Sequence, residues 1–238
     1  MRNSGAHRVE PISEPGAPRR ERNAADTRQR ILQAAEIEFA KKGYDGARLG
    51  QIARAADVQQ ALIHHYFNDK GGLYRCVIEH AIGAMSVEGW GVIHRLAYPL
   101  AVTRVPEVVE SFVDLLMWQS VTHASAFAIL RHAAAAEDEG ETRPEALVRK
   151  IMRDKARPIL DAVVALIEEM RAQGHIREDV RPRHLCISVL SLALFATQDD
   201  GFVHSVWGLD LRSPEFLHER KQEIVATVLA RIGKTQAR

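Results

Sequence analysis

Eleven histidines and two cysteines are the side chains of this 238-residue chain best suited to holding a metal, and their spacing speaks against it. His64 and His65 are adjacent, so a helix carrying them points them to different sides. No His-Glu-x-x-His or Cys–His pattern and no paired-carboxylate spacing occurs. Cys76 and Cys186 read as two buried structural thiols with no disulfide framework. Enzymatic chemistry finds no purchase either. The chain has no Gly-rich phosphate loop, no G-x-S-x-G elbow and no nucleophile beside a recognisable base. Glu168 and Glu169 are adjacent on what reads as an exposed helix face, hence solvated charge. Neither a cofactor nor a catalytic residue is expected. The stretch that does concentrate chemistry is "DVQQALIHHYFNDK", Asp57 to Lys70. It carries Gln59, Gln60, His64, His65 and Tyr66 and holds no acidic residue from Val58 to Asn68. Such a surface reads hydrogen-bond patterns next to phosphates. Glutamine pairs with adenine edges, leucine meets a thymine methyl, and histidine and tyrosine reach phosphates or bases.

A reading surface needs a helix pinned on its other side. Val58, Ile63 and Phe67 supply an apolar stripe, with Ile63 and Phe67 an i, i+4 pair. A first helix starts at an Asp26 or Thr27 cap, carries Ile31, Leu32, Ala35, Ile37, Phe39 and Ala40, and is stopped by Gly43. "ARLGQIARAA" sets Leu49, Ile52, Ala53 and Ala56 at helical spacing, "ADV" turns the chain, and "NDK" caps a fourth helix near Lys70. Two short helices across a tight turn, braced by a third, form a helix-turn-helix over residues 48–67.

Around that unit the chain reads as helical almost throughout. Pro106, Pro144 and the pair Ser213–Pro214 mark helix starts, while Pro158 falls inside a long helical pattern and should kink or split it. No alternating strand pattern with hairpin turns and no internal repeat appears. Residues 1–25 hold only Val9 and Ile12 as large apolar residues and read as a disordered basic arm ending in "RRER", Arg19 to Arg22. Residues 1–75 carry 13 Lys and Arg against 9 Asp and Glu, and the remainder 19 against 22, which suits an anionic partner at the front. No run reaches the roughly 18 apolar residues of a membrane span, and the N-terminus lacks a secretory core, so a cytoplasmic protein without membrane contact is expected.

The string "TRQRILQAAEIEFAKKGYDGARLGQIARAADVQQALIHHYFNDKGGLY" resembles the DNA-binding domain of the TetR family of bacterial transcriptional regulators. The resemblance rests on "F-x-x-x-G-Y", "Q-I-A-x-x-A-x-V" and "Y-F-x-x-K-x-x-L-Y", over residues 27–75. It implies an all-α fold: a small N-terminal three-helix domain at 26–85 and a larger ligand-binding and dimerisation domain at 86–238. The implied function is a homodimeric repressor on a palindromic double-stranded operator, released by an unknown small-molecule effector. Activation, or DNA binding without a ligand, is the alternative. Base reading falls to Gln59, Gln60, Leu62 and His65, and backbone contact to Arg48, Tyr66, Lys70 and the Arg19–Arg22 cluster. His64 stands where the family often has Tyr, Tyr66 where it has His, and Asp57 where a Gly often adopts a left-handed conformation. Ala47 and Arg48 replace a capping hydroxyl. In the rear domain Met117, Trp118, His123, Phe127, Arg131 and Phe195 are candidate effector-pocket residues, since polar groups in an apolar wall are what such sites use. Trp90 and Trp207 join them. The resemblance makes the helices at about 181–204 and 214–232 the dimer interface, and Ser188, Ser191, Ala193 and Ala196 are small enough for close approach.

Overall fold

Apolar residues at helical spacing, interrupted by Gly and Pro, leave the chain only one kind of regular structure. The computed structural model describes residues 19–96, 103–135, 144–198 and 200–233, and within them every regular element is an α-helix. The helices are α1 (Arg19–Gly46), α2 (Leu49–Ala55), α3 (Gln60–Phe67), α4 (Lys70–Leu96), α5 (Val105–Thr122) and α6 (Ala124–Ala135). After them come α7 (Pro144–Lys155), α8 (Arg157–Ala172), α9 (Pro182–Gln198), α10 (Asp200–Trp207) and α11 (Pro214–Ile232). Among the described residues none is long and apolar enough to cross a membrane, and no cluster of three His, Cys, Asp or Glu could hold a metal ion.

Three expectations need correction. Residues 19–25 are not part of a disordered arm: their backbone is helical and opens α1. Arg, Glu and Ala there are good helix formers, and Pro18 stands just before the first helical residue. Thr27 consequently caps nothing; its hydroxyl donates back to the Asn23 carbonyl at 2.8 Å, as interior Thr does. Residues 1–18 of the expected arm lie outside the described residues. Third, the stretch 181–204 is two helices, α9 and α10, rather than one. Pro158 splits the long pattern it interrupts, standing in the first turn of α8, two residues after α7 and α8 part at Ala156.

Two cores result. The rear core packs α5, α8, α9 and α11 through Val113, Val163, Val189 and Ile224, all buried. Lys221 on α11 ties down α5 by donating to Asp114 at 2.8 Å and lying 3.1 Å from Glu110. The front core contains Ile31, Phe39, Ile52, Ile63, Phe67, Tyr74 and Ile78, and it also takes in Ile129 and Ala133 of α6 and Val148 and Ile151 of α7. The boundary expected at residue 85 thus falls inside α4, and the front core recruits helices from beyond it. Close approach of α1 and α6 is arranged at Gly43, whose φ of +67° bends α1 and suits a residue without a Cβ. The His132 ring lies where a Cβ at Gly43 would come within 3.4 Å, and its Nε2 is 3.1 Å from the Ala40 carbonyl oxygen.

Ile129 is fully buried in the front core although it belongs to α6. Ile129→Ala should therefore cost about 2–5 kcal/mol of stability, read as a lowered midpoint in thermal unfolding. It should also loosen the packing of α2 and α3, read as faster amide hydrogen exchange at Ile52 and Ile63. Unchanged exchange at those two residues would show that the front core is independent of α6.

Candidate nucleic-acid interface

The outward surface of α3 exists because three separate devices fix its inner one. Ile63 and Phe67 are buried and Val58 is half-buried against the front core, which is the stripe expected from spacing. Beneath them Phe39, Tyr44 and Tyr74 form an aromatic cluster, with Phe39–Tyr74 centroids 4.8 Å apart and Tyr44–Tyr74 centroids 5.1 Å apart, both edge-on. The Arg28 guanidinium lies 5.3 Å from the Phe67 ring centroid and covers the outer side of the stripe.

The turn before α3 is closed by backbone bonds: the Val58 N–H donates to the Ala53 carbonyl at 3.0 Å and the Asp57 N–H to Arg54 at 3.2 Å. Asp57 has φ +52°, the left-handed conformation expected there, which Asp tolerates better than most residues. From α1, Arg30 Nη1 donates to the Ala56 carbonyl at 3.0 Å and clasps the turn. At the start of α2, Arg48 is the cap residue in an extended conformation and makes no side-chain cap bond, leaving its guanidinium exposed. Its backbone N–H is instead taken by Glu38, whose pKa is lowered first by Lys42, bonded to it at 2.8 Å, and also by that N–H.

The exit from α3 is tighter still. Asn68 has φ +66°, and the Asp69 carboxylate accepts the Gly72 N–H at 2.7 Å to cap α4. A Cβ on Gly72 would lie 2.1 Å from the Phe67 carbonyl oxygen, a distance no side chain tolerates. His64 Nδ1 is 2.9 Å from the Asn68 carbonyl oxygen; a carbonyl only accepts, so this nitrogen carries the proton and donates. Lys70 donates to the Asp45 carbonyl at 3.2 Å and holds its ammonium 4.7 Å from the Tyr44 ring centroid.

What remains outward is Gln59, Gln60, Leu62 and His65, all exposed, with Leu62 at 36%. Gln59 caps α3 in extended conformation and Gln60 is its first residue, so both stand at the end of the helix nearest the turn. The Gln60 side-chain oxygen rests over Gly50 of α2, where a Cβ would meet it at 3.4 Å. Tyr66 is half-buried, with its ring 5.1 Å edge-on from that of His65. The eight front residues singled out by sequence are thus brought to one corner of the molecule, around α3 and its two junctions. Arg30, Glu38, Tyr44, Gly50 and Gly72, which set that corner's geometry, were not singled out. Tyr44 left a trace as the last residue of "F-x-x-x-G-Y", and Gly72 as the second half of "GG" directly after the "NDK" cap.

Of the six rear-domain candidates Trp118 and His123 meet edge-on with ring centroids 5.8 Å apart, but the six do not share one site. Met117 is buried in the rear core, Trp118 is half exposed on α5, and Phe127 and Arg131 lie on α6. His123, at the α5–α6 turn, donates from Nε2 to Glu88 of α4 at 3.1 Å, beside Gln119, which donates to the Met85 carbonyl at 2.9 Å. Phe195 is 60% exposed on α9, and Trp207 is exposed on α10. Trp118 lines an open groove with Glu88, Arg95 and Asp114. An apolar void of the rear domain lies elsewhere, between α4, α5, α8, α9 and α11, and none of the six lines it. Helical spacing identified a shared face of α5 and α6, but that face borders the α4 junction instead of a cavity.

A short helix buried along one stripe and presenting glutamine, leucine and histidine outward after a three-residue turn is the second helix of a helix-turn-helix, and the class so defined is a DNA-binding regulator. The chain belongs to the TetR family of bacterial transcriptional regulators. The profile described as "Bacterial regulatory proteins, tetR family" matches residues 31–77, and "Tetracyclin repressor-like, C-terminal domain" matches residues 142–228. The HTH-type transcriptional repressor NicS of Pseudomonas putida is 25% identical over 192 residues, covering 81% of this chain and 85% of NicS. The HTH-type transcriptional repressor SCO4008 of Streptomyces coelicolor is 29% identical over 109 residues, covering 46% of this chain and 50% of that protein. Among solved structures, the TetR family transcriptional regulator PfmR of Thermus thermophilus shares the fold at a TM-score of 0.61 and 18% identity, over 84% of this chain and 97% of PfmR.

Gly72→Ala tests the α3–α4 junction. It should destabilise by about 1–3 kcal/mol or more, read in denaturant unfolding, and abolish DNA binding. Gly71→Ala should do neither, because a Cβ there meets nothing closer than the Asp69 carboxylate at 3.3 Å. Equal effects of the two would mean that the close approach to Phe67 does not set the junction.

Proposed function

We propose that this chain is a homodimeric repressor that binds a two-half-site operator through α3 and is released when a small molecule occupies the rear domain. The observation that carries the reading is the exposed α3 surface free of carboxylates, built on a core that reaches into the rear domain. Gln59, Gln60, Leu62 and His65 read base edges. Arg48, Tyr66 and Lys70 contact phosphates, and Lys70 is already steered to the helix junction by Asp45 and Tyr44. His64 acts mainly as the C-terminal tie of α3, keeping only its Nε2 for DNA. NicS and SCO4008 are both described as repressors, which supports that direction of control. The place of action is the cytoplasm, where the DNA is.

Support for the dimer comes from α9 and α11. Ile187 and Phe195 are 59% and 60% exposed on one side of α9, and Ala226, Thr227 and Ala230 are exposed on α11. Ser188 and Ser191 donate to the carbonyls of His184 and Ile187, both at 2.9 Å, so their hydroxyls need no partner from a facing helix. An apolar exposed face of small residues is what a second copy would cover. Release then follows if the effector prefers the orientation of the two α3 helices that does not match the half-site spacing.

Electrophoretic mobility shift on DNA upstream of the chain's own gene tests the assignments. Lys70→Ala should weaken binding to all sequences alike and reduce the salt slope by about 1. Gln60→Ala should instead change preference at one base step, by about 1–3 kcal/mol. If neither variant alters binding, the surface is wrongly assigned.

Sedimentation equilibrium tests the dimer separately. Phe195→Asp adds a charge to a side chain exposed in the single chain, so the fold should survive while the dimer dissociates. A variant that stays dimeric would place the interface away from α9.

A further inference from the structure

The groove between α4 and α5 that holds Trp118 has room for a ligand. Its volume is about 590 Å³, within the roughly 300–1,000 Å³ of small-molecule sites. It shares no residue with the apolar void, and none of its lining belongs to α9 or α11, the helices assigned to the second copy. Val92 and Leu115, both buried, make its floor together with Gly91. Gly91 leaves that floor open, since the nearest neighbour of a Cβ there would be Arg95 Nη1, 3.8 Å away. Gly89 lies nearly opposite on the helix, because two residues turn it by about 200°. A Cβ on Gly89 would come within 3.1 Å of the Ile159 side chain, so α8 backs α4 closely behind the groove.

Charge is divided along the groove. At one end Glu88 accepts from Nε2 of Gln119 at 3.2 Å and from Nε2 of His123 at 3.1 Å. A carboxylate offers about four acceptor positions, and the Glu88 side chain is still 26% exposed, so it has capacity for a further donor. Beside a neutral His123 ring its negative charge is uncancelled. The Trp118 indole, half exposed, stands at this same end. An exposed indole next to a carboxylate attracts an organic ammonium. Midway, the charge of Asp114 is cancelled by Lys221, bonded to it at 2.8 Å. At the far end, two helical turns along α4, Arg95 is exposed and makes no ion pair among the described residues. At about 1.5 Å of rise per residue, its guanidinium, which folds back toward Gly91, lies roughly 5–10 Å along the groove from Glu88.

We infer that this groove binds an elongated zwitterion, with its ammonium between Glu88 and Trp118 and its carboxylate on Arg95. A short apolar middle lies on Gly91, Val92 and Leu115. Asp114, already paired, repels a second acidic group placed midway, so the ligand carries one charge at each end. The site is separate from the void and does not rest on the reading of the chain as a repressor.

Isothermal titration of the full chain, without DNA, tests the assignment with ε-aminocaproate, hexylamine, hexanoate and glycine. The first carries both charges across the groove, the next two keep one charge each, and glycine holds both too close together. ε-Aminocaproate should bind about tenfold tighter than any of the others. Arg95→Gln should bring its affinity down to that of hexylamine and leave hexylamine unchanged. Trp118→Ala should weaken ε-aminocaproate and hexylamine alike. Gly91→Leu puts a better helix former into α4 and fills the groove, so it should abolish binding while retaining the helical circular dichroism. Hexylamine or hexanoate binding as tightly as ε-aminocaproate overturns the two-ended ligand. Absence of ε-aminocaproate binding, or binding that survives Gly91→Leu, overturns the groove as the site. Failure of the repressor reading shows differently, as the lack of any sequence-selective mobility shift.

Discussion

The burial of Ile129, Ala133, Val148 and Ile151 in the same core as Phe39, Ile63 and Tyr74 is the constraint on which the rest depends. A helix of eight residues such as α3 has no stability of its own in water. It is held because Ile63 and Phe67 enter that core, and the core is completed by two helices that come after the chain has left the DNA-binding segment. The position of the α3 surface is therefore a property of the whole front assembly, including α6 and α7.

On that base the α3 corner is made almost wholly of short, local bonds. One turn residue sits at φ +52°, one exit residue at φ +66°, and one glycine approaches a carbonyl where no side chain fits. Each removes a degree of freedom from the outward surface of α3. Charged side chains near the corner divide by role. Arg30 is bonded to a backbone carbonyl of the turn and Glu38 is shared between Lys42 and the backbone N–H at the α2 start, whereas Arg48 keeps its guanidinium in solvent. Lys70 does both, bonded to a carbonyl and covering an aromatic ring while standing at the mouth of the α3–α4 junction.

The sequence made the front legible because periodicity and turn chemistry act over a few residues. The stripe of Val58, Ile63 and Phe67 and the interruption of the first helix at Gly43 could be read from spacing and residue type, and the left-handed position at Asp57 from the family resemblance. Helix starts at Pro106, Pro144 and Ser213 were legible for the same reason; Ser213 accepts the Phe216 N–H at 3.2 Å as a cap should. Contacts between distant segments were not. Nothing local marks Arg30 as the clasp of Ala56, 26 residues on, or His132 as the neighbour of Gly43. The rear cavity was missed because polar residues in an apolar face were taken as its sign, whereas the void is walled by ordinary core residues that five helices bring together. Phe195, read as a pocket residue, faces outward because its neighbours Val189 and Ala193 take the inward side of α9.

Helix α4 turns the close contact at Gly89 into a matter of mechanical advantage. From Lys70 to Gly89 an unbroken helix advances roughly 28 Å at about 1.5 Å per residue. Pivoted at the Gly89 end, such a rod moves its far tip by roughly 0.5 Å for each degree of tilt. A tilt of about 5° therefore carries Lys70 through roughly 2.5 Å, close to a whole hydrogen-bond length. Any contact made by the Lys70 ammonium would be broken over that distance, while the packed side chains at the fulcrum would shift by far less. A glycine with almost no clearance from Ile159 is a stiff bearing for that rod.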